Sequence, residues 1–216
     1  GLAWSSDAEF IVFSSTRGAL PGLWKISAAG GTPEPLAGVG ADAWAPAISR
    51  AGNVLAYTHQ NENVNIWRVP GRDPAGPKTP LKLISSPRQQ TSAVYSPDGK
   101  RIAFSSDRTG TFEIWVSDSD GSHPLQLTSF GGPITGTPHW SPDGSLIVFD
   151  SRPGGHSAIF VISASGGEPH QLTEGTFDDI VPNWSHDGQH IYFCSSRTAG
   201  RQIWKMPAGG GPVSYT

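Results

Sequence analysis

The chain has 216 residues, 36% of them hydrophobic, enough for one substantial core and too little for two, and Gly 27 with Pro 19 spread along it argue against long helices. Fifteen basic residues against 18 acidic ones leave a net charge of −3, which excludes the one-signed field that grips nucleic-acid phosphates, and no apolar run approaches the ~18 residues of a membrane-spanning helix. A single cysteine excludes an internal disulfide and leaves the compartment open.

Read from the N-terminus, one pattern recurs five times. The first copy is AWSSDAEFIVFSSTRGALPGLWKISAAGGTPEPLA from Ala3, and the second is AISRAGNVLAYTHQNENVNIWRVPG from Ala47. The third, VYSPDGKRIAFSSDRTGTFEIWVSDSDGSHPLQLT over 94–128, is the clearest. The fourth and fifth run from His139 and Asn183. A first aromatic column, Trp4, Ile48, Tyr95, Trp140 and Trp184, is spaced by 44, 47, 45 and 44 residues, and a second holds Trp24, Trp67, Trp115, Phe160 and Trp204. Between them apolar and polar residues alternate in runs of four to six, so each copy reads as four short antiparallel strands.

Each copy also carries turn chemistry. Ser96-Pro97-Asp98-Gly99 and Ser141-Pro142-Asp143-Gly144 place Pro where a type I turn needs it and Gly in the left-handed position that follows. Ala8 stands in for that Gly in the first copy, where the same conformation is mildly strained. A second turn carries Arg17, Arg108, Arg152 and Arg197, read as ties between neighbouring hairpins, and a third centres on Gly30, Gly121, Gly166 and Gly209. Units of about 44 residues cannot bury both sheet faces alone, so stacking them radially predicts an all-β propeller of five four-stranded antiparallel blades. The blades fall at about 1–37, 42–84, 89–128, 134–173 and 178–216 of a single domain, 1–216.

The string SPDGKRIAFSSDRTGTFEIWVSDSDGS followed by LQLT resembles the WD40-like propeller repeat of the TolB type, also found in prolyl-oligopeptidase propellers and in bacterial regulator sensor regions. The resemblance spans essentially the whole chain and implies fold far more than function, because the matching residues are turn and core residues. Propellers of this kind usually have six or more blades. Five copies therefore read as a segment of a larger propeller, which closes as a five-bladed ring, stays open as an arc, or pairs with a second chain as a homo-oligomer. The second copy departs from the pattern, with Arg50-Ala51-Gly52 in its first turn and an insert from Gly71 to Thr79.

No GxSxG elbow, HExxH, P-loop lysine motif or CxxC is present. Cys194 aligns with Ser14, Thr58, Ser105 and Asp150 and reads as a small packed residue. What breaks the repeat carries more information. Trp44 is the one tryptophan outside the two columns, in a segment leading into an inner strand; in a propeller such segments surround one mouth of the channel. Trp44, Asp42, Gln90, Thr135, Asp178, Asp179 and His139 are the candidate ligand-binding residues: the indole stacks on a ring, and the carboxylates and amide bind hydroxyls or a cation. Two functional classes follow. One is a non-catalytic recognition or sensor module for a protein, peptide or small ligand, with no nucleic-acid partner, no membrane insertion and no cofactor. The other is a metal-dependent hydrolase of lactonase or phosphoester type, with a divalent metal held by Asp178, Asp179 and His139.

Overall fold

The structure is a computed structural model describing residues 1–17, 21–40, 42–49, 54–59, 63–69, 79–132, 134–198 and 200–215. All regular elements among them are strands. Arg50 to Gly52 and Gly71 to Lys78, two departures of the second copy, lie outside the described residues.

Four copies fold as four-stranded antiparallel blades in simple meander order. The first comprises β1 (Leu2–Trp4), β2 (Phe10–Ser15), β3 (Gly22–Ser27) and β4 (Glu34–Pro35). The second copy gives two strand pairs, β5 (Ala43–Ile48) with β6 (Leu55–His59) and β7 (Ile66–Arg68) with β8 (Leu81–Ile84). The third blade is β9 (Gln90–Tyr95), β10 (Arg101–Ser106), β11 (Glu113–Asp118) and β12 (Leu125–Gln126). The fourth is β13 (Thr135–Trp140), β14 (Leu146–Ser151), β15 (Ala158–Ser163) and β16 (His170–Gln171). The fifth is β17 (Asp179–Trp184), β18 (His190–Thr198), β19 (Gly200–Pro207) and β20 (Ser214–Tyr215). The chain divides into two compact units, Gly1–Glu62 and Asn63–Thr216, so the division falls inside the divergent second copy.

In the larger unit, strand alternation sends every second residue to a different neighbour. Along β14, Ile147 and Phe149 pack with Ala103, Ile114 and Val116 of the third blade, whereas Val148 packs with Ile191, Phe193 and Met206 of the fifth. Ile102 and Phe104 likewise turn from β10 toward Ile84 of β8. The smaller unit has its own cluster of Val12, Leu23 and Ala43 with Leu36, Ile48 and Leu55 around it.

The first turns form as the sequence predicts. Gly99, Gly144 and Gly188 have φ of 69°, 72° and 71°, and Ala8 adopts 62° in the same place. Ser96, Ser141 and Ser185 each donate from Oγ to the Asp two residues on, at 2.6, 2.5 and 2.6 Å. The same Oγ of Ser141 accepts the amide of Leu146 at 2.9 Å, which locks the turn onto the strand that follows. The third turn of the fifth copy centres on Gly210, φ 86°, one residue beyond the expected Gly209.

The arginine column corrects the sequence reading. Arg17, Arg108 and Arg197 fold back over the aromatic pair of their own blade, as with Arg108 at 5.2 Å from the Phe104 ring and 4.8 Å from the Trp115 ring. A ring face attracts a guanidinium while the arginine stem covers apolar surface. Arg152 sits one residue closer to its serine than the others and alone reaches the next blade, with Nη2 3.4 Å from Asp178. Its place over Phe149 and Phe160 is taken by Phe130, whose centroid lies 6.2 and 5.2 Å from theirs.

Candidate functional site

The inner strands β5, β9, β13 and β17 start alike. Their first residues, Ala43, Gln90, Thr135 and Asp179, are buried. Two positions later Ala45, Ser92, Thr137 and Val181 have φ of 48°, 54°, 48° and 54°, and the pairing with the second strand slips there. Such a bulge turns an amide or carbonyl out of its own ladder. Neighbouring copies use those freed groups as joints. The Ala45 amide donates to Ser14 Oγ at 3.0 Å, the Thr135 carbonyl accepts Ser105 Oγ at 2.7 Å, and the Val181 amide donates to Asp150 Oδ1 at 3.2 Å. The column Ser14, Ser105, Asp150 therefore stitches the first copy to the second, the third to the fourth and the fourth to the fifth, a role its mixed chemistry conceals in the sequence. Thr137 Oγ1 also donates to Asp150, yet burial holds this carboxyl above its ordinary pKa.

The candidate residues divide between the two units. In the smaller one, Asp42 is half-buried with φ 59° and donates its amide to the Pro21 carbonyl at 2.7 Å, and Trp44 is half-buried on β5 opposite Thr58. In the larger one, Gln90 donates through Nε2 to Ser86 Oγ at 2.5 Å and to the Arg88 carbonyl at 2.7 Å, while its Oε1 is buried without a hydrogen-bond partner. Thr135 Oγ1 bonds Ser151 Oγ at 2.7 Å. Asp179 is buried and paired with Arg197 Nη1, which also donates to Ser195 Oγ at 2.9 Å. Asp178 accepts the Ser157 amide at 3.0 Å, and that bond together with the positive charge of Arg152 keeps its carboxyl below the usual pKa. His139 is half-buried; burial lowers its pKa, and its carbonyl accepts the Trp184 indole at 3.2 Å.

Among the described residues no three His, Cys, Asp or Glu side chains converge as a ligand set for a metal. Around Asp178 and Asp179 the polar groups are instead engaged with Arg152, Ser157, Ser195 and Arg197. Exposed at the leading ends of β13 and β17 are large apolar side chains: Ile134 at 63%, Val181 at 50% and Phe177 at 40%. None of the three is among the candidate residues singled out from the sequence. Glu113 was also missed: it is fully buried, and its carboxylate accepts Thr128 Oγ1 at 2.6 Å, Thr111 Oγ1 at 3.2 Å and the Gly131 amide at 2.9 Å.

Residues 126–216 match the TolB beta propeller domain. Over 87 residues the chain is 35% identical to the Tol-Pal system protein TolB of Anaeromyxobacter dehalogenans; the match takes in 40% of this chain and 18% of that protein. Among solved structures, a putative TolB from Agrobacterium tumefaciens superposes over 100% of this chain and 79% of its own at a TM-score of 0.60 and 24% identity. TolB from Acinetobacter baumannii does so over 97% and 52% at 0.57 and 25% identity. The chain thus carries a TolB-like β-propeller fold, and its residues 126–216 match the TolB propeller domain.

Proposed function

We propose that this chain is a non-catalytic recognition module whose partner is a protein or peptide, bound across the leading ends of the inner strands. One observation carries the reading: the ionisable groups there are held in internal bonds, as in Asp179 with Arg197, while Ile134, Phe177 and Val181 stand exposed beside them. Exposed apolar side chains rimmed by polar groups are the chemistry of a protein contact. The TolB-type fold fits such a role. Asp178 and His139, both half-buried, serve the rim in this reading, Gln90 and Thr135 are buried beneath it, and Asp42 with Trp44 are the matching positions of the smaller unit.

The test is retention of proteins from a bacterial extract on the immobilised chain, compared with Ile134→Ser and Val181→Asn variants that melt no lower than the parent. Proteins held by the parent and lost from both variants are the expected result. Equal retention by all three would remove this face as the binding surface.

A further inference from the structure

Beyond that face, the turns of successive blades form a slot that this molecule fills in one place and leaves open in the next. Where the third blade meets the fourth, Arg101 lies with its guanidinium carbon 4.7 Å from the centre of the Trp140 ring. It donates through Nη1 to the Ala164 carbonyl at 3.1 Å and through Nη2 to the Gly144 carbonyl at 3.4 Å. Asp98, in the turn before Arg101, supplies negative charge, and Asp143 adjoins Gly144 in the turn of the next blade.

The frame repeats between the fourth and fifth blades. Trp184 replaces Trp140, and both indoles donate to a carbonyl on the preceding inner strand, at 3.2 and 3.0 Å. Gly188 replaces Gly144, and each glycine nests against a proline of the preceding turn: an added Cβ would stand 3.5 Å from Pro142 in one case and 3.6 Å from Pro97 in the other. Ala208 replaces Ala164, each with its amide bonded back to the residue after the turn glycine, Gln189 or Ser145, at 2.9 Å. The residue that should fill the slot differs. Leu146 occupies the position of Arg101, facing the same way on its strand, but it is shorter and has no donors. What remains is a cleft of about 370 Å³ bordered by Leu146, Trp184, Gly188 and Ala208, with Asp143 and Asp187 at its rim. That volume falls within the range of small-ligand sites. Trp140 is buried to 6% exposure under its arginine, whereas Trp184 is only half-buried.

We infer that the cleft between the fourth and fifth blades is a binding site for an arginine side chain presented by a partner protein or peptide. The guanidinium would stack on Trp184, donate to the Ala208 and Gly188 carbonyls, and be neutralised by Asp143 and Asp187. Lysine meets these demands less well, because a point charge cannot lie flat on the indole and reach two carbonyls together. Both carboxylates accept hydrogen bonds from their turn serines, which keeps them ionised.

The experiment is an NMR titration of the labelled chain with N-acetyl-Gly-Arg-Gly-amide and with its lysine counterpart, following the indole resonance that Trp184→Phe removes. The expected result is a saturable shift of that resonance, with the arginyl peptide bound at least about threefold more tightly than the lysyl one. Leu146→Arg should fill the slot from within and weaken binding by about tenfold or more. Arg101→Leu should open the neighbouring slot and add a peptide-dependent shift at the Trp140 indole. No saturable shift at Trp184, equal affinity for both peptides, unchanged binding in Leu146→Arg, or no new response in Arg101→Leu would each overturn the assignment. Ile134→Ser should leave this titration unchanged, so it stands or falls separately from recognition at the inner-strand ends.

Discussion

Val181 is an expensive residue where it stands. At φ 54° its branched Cβ crowds the backbone, at a cost of about 1–2 kcal/mol, and the equivalent residues Ala45, Ser92 and Thr137 share the conformation. The fold needs the conformation, because it frees the amide that bonds Asp150, but it does not need valine. Asparagine tolerates positive φ and keeps the amide, so Val181→Asn is expected to raise stability by about 0.5–1 kcal/mol in urea unfolding. The same change should abolish partner retention, the pattern of a surface held strained for function. A fall in stability would show that the exposed valine is a packing residue instead. Sequence reading could not reach these bulges. Its signal for positive φ is Gly or Asn, and the column holds Ala, Ser, Thr and Val.

At the scale of the element, the serine and aspartate of the first turn act as a clamp whose partners all lie within five residues, in a turn that the sequence marks through its Pro and Gly. Asp143 accepts the Ser141 hydroxyl and both the amide and the hydroxyl of Ser145, and these bonds bring its pKa down from 3.8 to about 2. A folded-state pKa below the unfolded value means the contribution is complete above pH 3.8 and is lost as pH falls toward about 2. Asp143→Asn is therefore expected to flatten the decline of the urea midpoint across that window and leave the shape of the curve above it unchanged. An unaltered acid limb would remove the clamp from the account of acid stability. The arginine column was misread because its partners are set by tertiary packing: three of its members stack on rings of their own blade, and only Arg152 crosses to the next.

Across the whole molecule, strand period and turn spacing were legible because they are local and repeated, and so was the divergence of the second copy, within which the two compact units part. The candidate site was legible only as a location. Whether a carboxylate is available to a ligand depends on what the fold has already bonded to it. For Asp179 that partner is Arg197, 18 residues away and brought close by the pairing of β17 with β18. The central claim is that the polar groups at the inner-strand ends hold the sheets together and leave recognition to exposed apolar side chains. It is tested most directly by urea unfolding of Asp179→Asn. Breaking a buried pair leaves Arg197 uncompensated, so a loss of about 3 kcal/mol is expected. Unchanged or increased stability is what removing a ligand-binding carboxylate usually produces, and it would contradict the claim and return Asp179 to the role of a binding group.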